Sequence, residues 1–124
     1  MENELPAKQV ELLTQKLLQN WNQSRIELEG LFKNRDSEQA LNVMTHAIEL
    51  FKEFLYLSNG HRSNGEINIE DFSIKPVNVK ERLNFIISRP RLFHSFVQLS
   101  ELFFEQEKQY AKYVALTRRT KSPD

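Results

Sequence analysis

The sequence predicts an all-α fold: a helical bundle of about four helices, three long and one short, with a long strap between the second and third. Three observations predict it. Apolar residues recur at helical spacing along most of the chain. Only three glycines and four prolines interrupt 124 residues, too few for a turn-rich β architecture. Cap-forming residues stand where one periodic segment gives way to the next. The length is that of a single domain, residues 1–124.

The first helix is expected over residues 6–33, because proline suits a first helical position. Val10, Leu13, Leu17, Trp21, Leu28, Leu31 and Phe32 fall on one stripe, and Ser24 fills its polar slot. The stripe persists through residues 20–25, which argues for one long helix rather than two. Gly30 weakens its end. Asn34-Arg35-Asp36 then makes a short turn, which favours an antiparallel helix pair.

Asp36, with Gln39 three residues on, resembles a capping box. The second helix is expected over 37–57. Ala40, Leu41, Met44, Ala47, Ile48, Phe51, Phe54 and Leu55 cover about half of its circumference, and Asn42, His46, Glu49 and Glu53 lie opposite. Asn59-Gly60 stops it. Residues 59–77 are the least regular stretch. Ile67, Ile69, Phe72 and Ile74 are too apolar for a free linker. Two readings stand for this segment: a strap laid across the bundle with one helical turn, or a mobile lid.

Asn78 with Glu81 repeats the capping-box pattern. It opens a short helix carrying Val79, Leu83, Ile86 and Ile87, which has to end before Pro90. Pro90 is expected to open the last long helix. There Leu92, Phe96, Leu99, Phe103, Tyr110 and Val114 form the main stripe. Phe93, Val97, Phe104 and Ala111 widen it on one flank, Leu102 and Tyr113 on the other. The end, 117–124, carries Arg118, Arg119 and Lys121 and is expected to fray.

Charge and composition disfavour some functions. With 17 basic and 17 acidic side chains the formal net charge is zero, so no global field draws in nucleic acid or an anionic membrane. Cysteine is absent, which removes disulfide and thiolate chemistry. Met1-Glu2-Asn3-Glu4-Leu5-Pro6 has neither the basic nor the apolar region of a signal peptide. Apolar runs fall far short of the roughly 20 residues of a membrane span. The expected location is cytoplasmic, away from membranes.

No catalytic set emerges. A carboxylate-bridged di-metal bundle needs Glu three residues before His, but Val43, Ser58 and Arg91 precede His46, His61 and His94 at that spacing. His46 and Glu49 have the reverse spacing. There is no H-E-x-x-H, no G-x-x-x-x-G-K-[ST] and no G-x-S-x-G. The expectation is a protein with no enzymatic activity, no catalytic residues, no metal and no cofactor.

Two faces of the last helix remain. His94, Gln98, Glu101 and Glu105 align opposite the core stripe, with Arg89 and Arg91 near the N-terminal end. This face reads either as solvated surface or as a polar recognition strip. The apolar arc covers well over half of the circumference, more than a peripheral helix buries. The excess at Phe93, Val97 and Phe104 is either buried beneath the strap or exposed to another chain.

These faces suggest a helical interaction or adaptor module, acting through a protein partner or as a homodimer. Its binding residues would be Arg89, His94, Gln98 and Glu101, and its apolar interface Phe93, Val97 and Phe104. One rival is a nucleic-acid-associated accessory protein, which needs Arg82, Arg89, Arg91, Arg118 and Arg119 on one face. A second is a metal or small-molecule site inside the bundle, with His94 or His46 turned inward beside a carboxylate.

A run of short motifs adds a resemblance. Lys75-Pro76-Val77-Asn78, Arg89-Pro90, Phe93-His94-Ser95-Phe96 and Gln98-Leu99-Ser100-Glu101-Leu102 resemble the YpoC-like family of small proteins from Bacillus-type Gram-positive bacteria. The resemblance covers roughly the C-terminal half. It implies a cytoplasmic bacterial protein, carries over no catalytic residue, and draws attention to Arg89, His94, Gln98 and Glu101.

Overall fold

The computed structural model describes residues 5–62 and 67–120, the side chains of 119 and 120 excepted. The elements are α1 (Ala7–Lys33), α2 (Ser37–Ser58), a 3₁₀ turn (Ile69–Asp71), α3 (Val79–Ser88) and α4 (Phe93–Thr120). This is the expected all-α bundle of three long helices and one short one, with the strap between α2 and α3. Among the described residues no helix is long and apolar enough to cross a membrane.

α1 buries Val10, Thr14, Leu17, Trp21, Ser24 and Leu28, the narrow stripe of the sequence with its polar slot included. It ends in a Schellman motif. The Asp36 amide donates to the Leu31 carbonyl at 2.9 Å and the Arg35 amide to that of Phe32 at 3.1 Å. The left-handed position in this motif is Arg35, at φ 59°. α2 ends the same way, with His61 donating to Tyr56 and Gly60 to Leu57, both at 2.9 Å. There glycine takes the left-handed position, at φ 83°. At the start of α2 the Gln39 amide donates to Asp36 Oδ1 at 3.2 Å, as the capping pattern predicts.

α4 runs antiparallel to α1. Phe32 near the end of α1 meets Phe93 and Phe96 at the start of α4, with ring centroids 5.7 Å apart in both pairs. At the other end Arg118 Nη2 reaches Glu11 Oε2 at 2.6 Å. Between these points Phe103 stacks on Trp21 of α1, centroids 4.1 Å apart and planes 7° apart. Its ring also meets Phe51 edge-on at 5.2 Å and stacks on Phe54 at 6.1 Å, both from α2.

The strap is packed. Phe72 is buried between Tyr56, at 5.1 Å, and His61, at 6.2 Å. Asn59 Oδ1 accepts from the Ile74 amide at 3.0 Å, and its Nδ2 donates to the Ile74 carbonyl at 2.8 Å and the Leu55 carbonyl at 2.7 Å. From α4, Gln106 Nε2 donates to the Ile74 carbonyl at 3.0 Å and Gln109 Nε2 to that of Lys75 at 2.6 Å. The Tyr56 hydroxyl donates to the Ile67 carbonyl at 2.9 Å. These side chains supply the partners that a non-repetitive backbone segment lacks.

Two sequence expectations need correction. Asn78 makes no side-chain cap; it sits in the left-handed region at φ 55°, and only its carbonyl starts α3. Pro90 does not open α4, because Pro90-Arg91-Leu92 forms a turn. In that turn the Arg89 carbonyl accepts from the Leu92 amide at 3.3 Å and from Ser95 Oγ at 2.6 Å. Leu92 therefore leaves the core stripe and is 46% exposed. Of the terminal segment 117–124, residues up to Thr120 belong to α4. Lys121 and the rest of that segment lie outside the described residues.

Gly30 lies inside α1 with nothing within 4 Å of where a Cβ would stand. Gly30→Ala should therefore stabilise the protein by about 0.5–1 kcal/mol in urea unfolding, through lower backbone entropy. Asn59→Ala leaves the Ile74 amide without its partner and should cost about 1–3 kcal/mol in the same assay.

Candidate functional site

α4 presents three faces, each set by the inward turn of Phe103. The core face carries Ser95, Phe96, Leu99, Leu102, Phe103 and Gln106. On the flank formed by Leu102 and Tyr113, Leu102 is fully buried and Tyr113 is 50% exposed. On the opposite flank Phe93 is 58% and Phe104 61% exposed, with Val97 half-buried between them. Phe93 is held at its edge by Phe32 and by Phe96, at 5.9 Å. Lys108 Nζ stands 5.0 Å above the Phe104 ring.

The polar strip faces α3. Arg82 of α3 forms a two-pronged pair with Glu105, Nη1 to Oε1 at 2.9 Å and Nη2 to Oε2 at 2.6 Å. Its Nη1 also donates to the Val77 carbonyl at 3.0 Å. The hydrogen bond to Glu105 raises the guanidinium pKa; burial opposes the rise, and the charges of Glu105 and Glu101 add to it. His94 meets the Phe85 ring edge-on at 5.8 Å, while Arg89 covers the same ring at 5.0 Å. Gln98 Nε2 lies 3.5 Å from His94 Nε2. Arg89, His94, Gln98 and Glu101 thus gather along the polar side of an α3–α4 seam, with the outer edges of Arg89, His94 and Glu101 in solvent. The sequence placed this strip opposite the core and carried no sign that α3 packs there.

Arg118 stands apart from the other arginines. Arg82 is tied to Glu105 and Arg118 to Glu11, and Arg89 sits on Phe85. The 25 residues between the first position of α4 and Arg118 span roughly 37 Å of helix rise. The Arg119 side chain lies outside the described residues. His46 and His94 are both exposed rather than turned inward. The described residues hold no group of three His, Asp or Glu arranged to bind a metal ion.

A concave feature lies at the end of the bundle away from Phe32 and Phe93. The start of α1, the end of α2, the strap and the last turns of α4 enclose a cleft of about 570 Å³. Val10, Ile74, Tyr110, Tyr113 and Val114 supply its apolar walls, and Lys8, Glu11 and Arg118 its charged rim. A second cleft of about 430 Å³ adjoins it between α1 and α4, sharing Glu11, Tyr110, Val114 and Arg118 and adding Thr14 and Glu107. Burial raises the Tyr110 pKa. The Thr14 hydroxyl lies close enough to oppose that rise, yet it is buried without a hydrogen-bond partner of normal geometry. Tyr110 and Val114 read in sequence as plain core stripe; their role as cleft walls depends on where the strap and the start of α1 lie.

Burial also raises the Glu107 pKa, with Arg25 pulling it down. A carboxylate raised in the folded state favours folding most when protonated, and that advantage is lost as pH rises through the folded-state pKa. Glu107→Gln should therefore raise Tm relative to wild type at pH 7. Near pH 3.5 the difference should vanish in paired thermal melts.

Comparison with known proteins adds a lineage. The family described as YpoC-like protein matches residues 11–118. The uncharacterised protein YpoC of Bacillus subtilis (strain 168) is 30% identical over 106 residues, covering 82% of this chain and 65% of the relative. The chain thus spans just under two thirds of that relative's length. No solved structure matches. The family match takes in nearly all of α1 as well as α2, the strap, α3 and most of α4, well beyond the C-terminal half where the motifs lie, and so the chain belongs to the YpoC-like protein family.

Proposed function

We propose that this protein is a non-enzymatic helical interaction module of the cytoplasm that acts by self-association through the exposed flank of α4. One observation carries the reading. Phe93 and Phe104 are each more than half exposed on the same side of one helix, with Val97 between them. An apolar stripe of this kind is what a second helix buries when two amphipathic helices meet. Isolated exposed apolar residues need no explanation, but two phenylalanines aligned along a helix amount to a patch.

A second copy suits the surroundings of the stripe. Zero net charge leaves two copies without mutual repulsion. Lys108 borders the stripe on α4, and Arg25 and Glu29 stand as an exposed pair on the neighbouring face of α1. Both signs are thus available to a two-fold contact, in which each residue meets its symmetry counterpart's neighbours.

Light scattering across a dilution series tests this with Phe104→Asp. Phe104 contributes little to the core, so the variant should keep the helical circular dichroism and Tm of the wild type. The expected result is a wild-type dimer that dissociates on dilution and a folded monomeric variant. A wild type that stays monomeric at every concentration would overturn self-association, and a variant that stays dimeric would move the contact off this flank.

A further inference from the structure

We propose that the cleft between α1, the strap and the last turns of α4 binds a small amphipathic anion, an apolar body carrying one carboxylate or similar monoanionic head. The site is separate from the exposed flank of α4. Tyr110 lies about 120° around the helix from Phe104 at 100° per residue, so the inference stands without the self-association reading.

Volume and lining set the class of ligand. About 570 Å³ falls within the range of small-molecule sites, which are mostly apolar with a few convergent polar groups. Val10 and Ile74 are buried and, with Val114 and the faces of Tyr110 and Tyr113, offer an apolar lining. Ser73 and Thr117 also line the cleft, as do Ser58 and Asn59, whose side chains already donate to the carbonyls of Phe54, Leu55 and Ile74, so the walls suit an alkyl or aryl body.

The polar groups set the sign of the head. Among the described residues that line the rim, Lys8 and Arg118 outnumber Glu11. Lys8 has no ion pair among the described residues, whereas Arg118 is paired with Glu11. That pair is open to water, with side chains 70% and 41% exposed, so it gives way at little cost. The hydroxyls of Tyr110 and Tyr113 add hydrogen-bond donors to the lining. The arrangement is cationic at the rim and apolar along the walls, with phenol donors set among them.

Decanoate is the probe, with decanol and decyltrimethylammonium as neutral and cationic controls, all below their aggregation thresholds. Binding is read by calorimetry and by the ring proton shifts of Tyr110 and Tyr113. Saturable 1:1 binding of decanoate that moves both rings is expected. Lys8→Gln, at an exposed position, should fold as the wild type and weaken decanoate roughly tenfold, the value of one lost charged contact. Val114→Trp fills the cleft and should abolish binding while Tm holds. The inference is overturned if decanoate fails to bind, if it binds the Val114→Trp variant undiminished, or if the decanol and ammonium controls bind as tightly.

Discussion

The ring of Phe103 packs against aromatic side chains from both other long helices, stacked on Trp21 of α1 at 4.1 Å and set between Phe51 and Phe54 of α2. Each aromatic pair adds about 0.5–1.5 kcal/mol beyond the burial of its area. The geometric consequence is larger. With 100° between successive residues, fixing Phe103 inward fixes the rotation of the whole of α4. Leu99, Leu102 and Gln106 then have to point inward, Glu101 and Glu105 toward α3, and Phe104 away from the bundle. The seam, the exposed flank and the cleft walls all follow from the seating of this one ring.

Two polar devices hold the parts that this aromatic core does not reach. The Arg82–Glu105 pair fastens α3, too short at ten residues to be a stable helix alone. Its two-pronged geometry and partial burial set it apart from the exposed Arg25–Glu29 and Lys52–Glu49 pairs, which contribute little. The strap depends on amide side chains. A segment without a ladder has to pair its N–H and C=O groups one at a time, and Asn and Gln carry donor and acceptor in a single group. Asn59 uses both on Ile74, and Gln106 and Gln109 complete the attachment from α4. Gln106 is fully buried for this purpose, at a place where helical periodicity alone calls for an apolar residue.

The proposed contacts use different sides of α4. The apolar flank lies in its first half, beside Phe32 and Lys108, and the cleft lies along its last turns under the strap. A second copy seated on Phe93 and Phe104 leaves the rim at Lys8 and Arg118 on another face. The ends of α1 and α4 thus divide the roles, one end closed by aromatic packing and the other by a weak, solvated ion pair. That contrast makes the second end the adaptable one.

Much of the fold was legible in the chain. Local rules determine helix existence and termini: the 3.6-residue period marks α1, α2 and most of α4, and Asp36 with Gln39 and Asn59-Gly60 mark boundaries that need only backbone chemistry. Those rules misread Asn78 and Pro90, where a left-handed residue and a turn held by Ser95 override the local pattern. Relations between elements were out of reach. Arg82 and Glu105 are 23 residues apart, Gln106 and Ile74 32, and Glu11 and Arg118 107. Periodicity shows that a side chain is on a given face of its helix, never which neighbour covers that face. So the sequence by itself determined the helices and their apolar sides. Only the packing decided that Leu102 is core while Phe104 is surface, that the polar strip of α4 is a seam with α3, and that Tyr110 walls a cleft, because the covering elements arrive from distant parts of the chain.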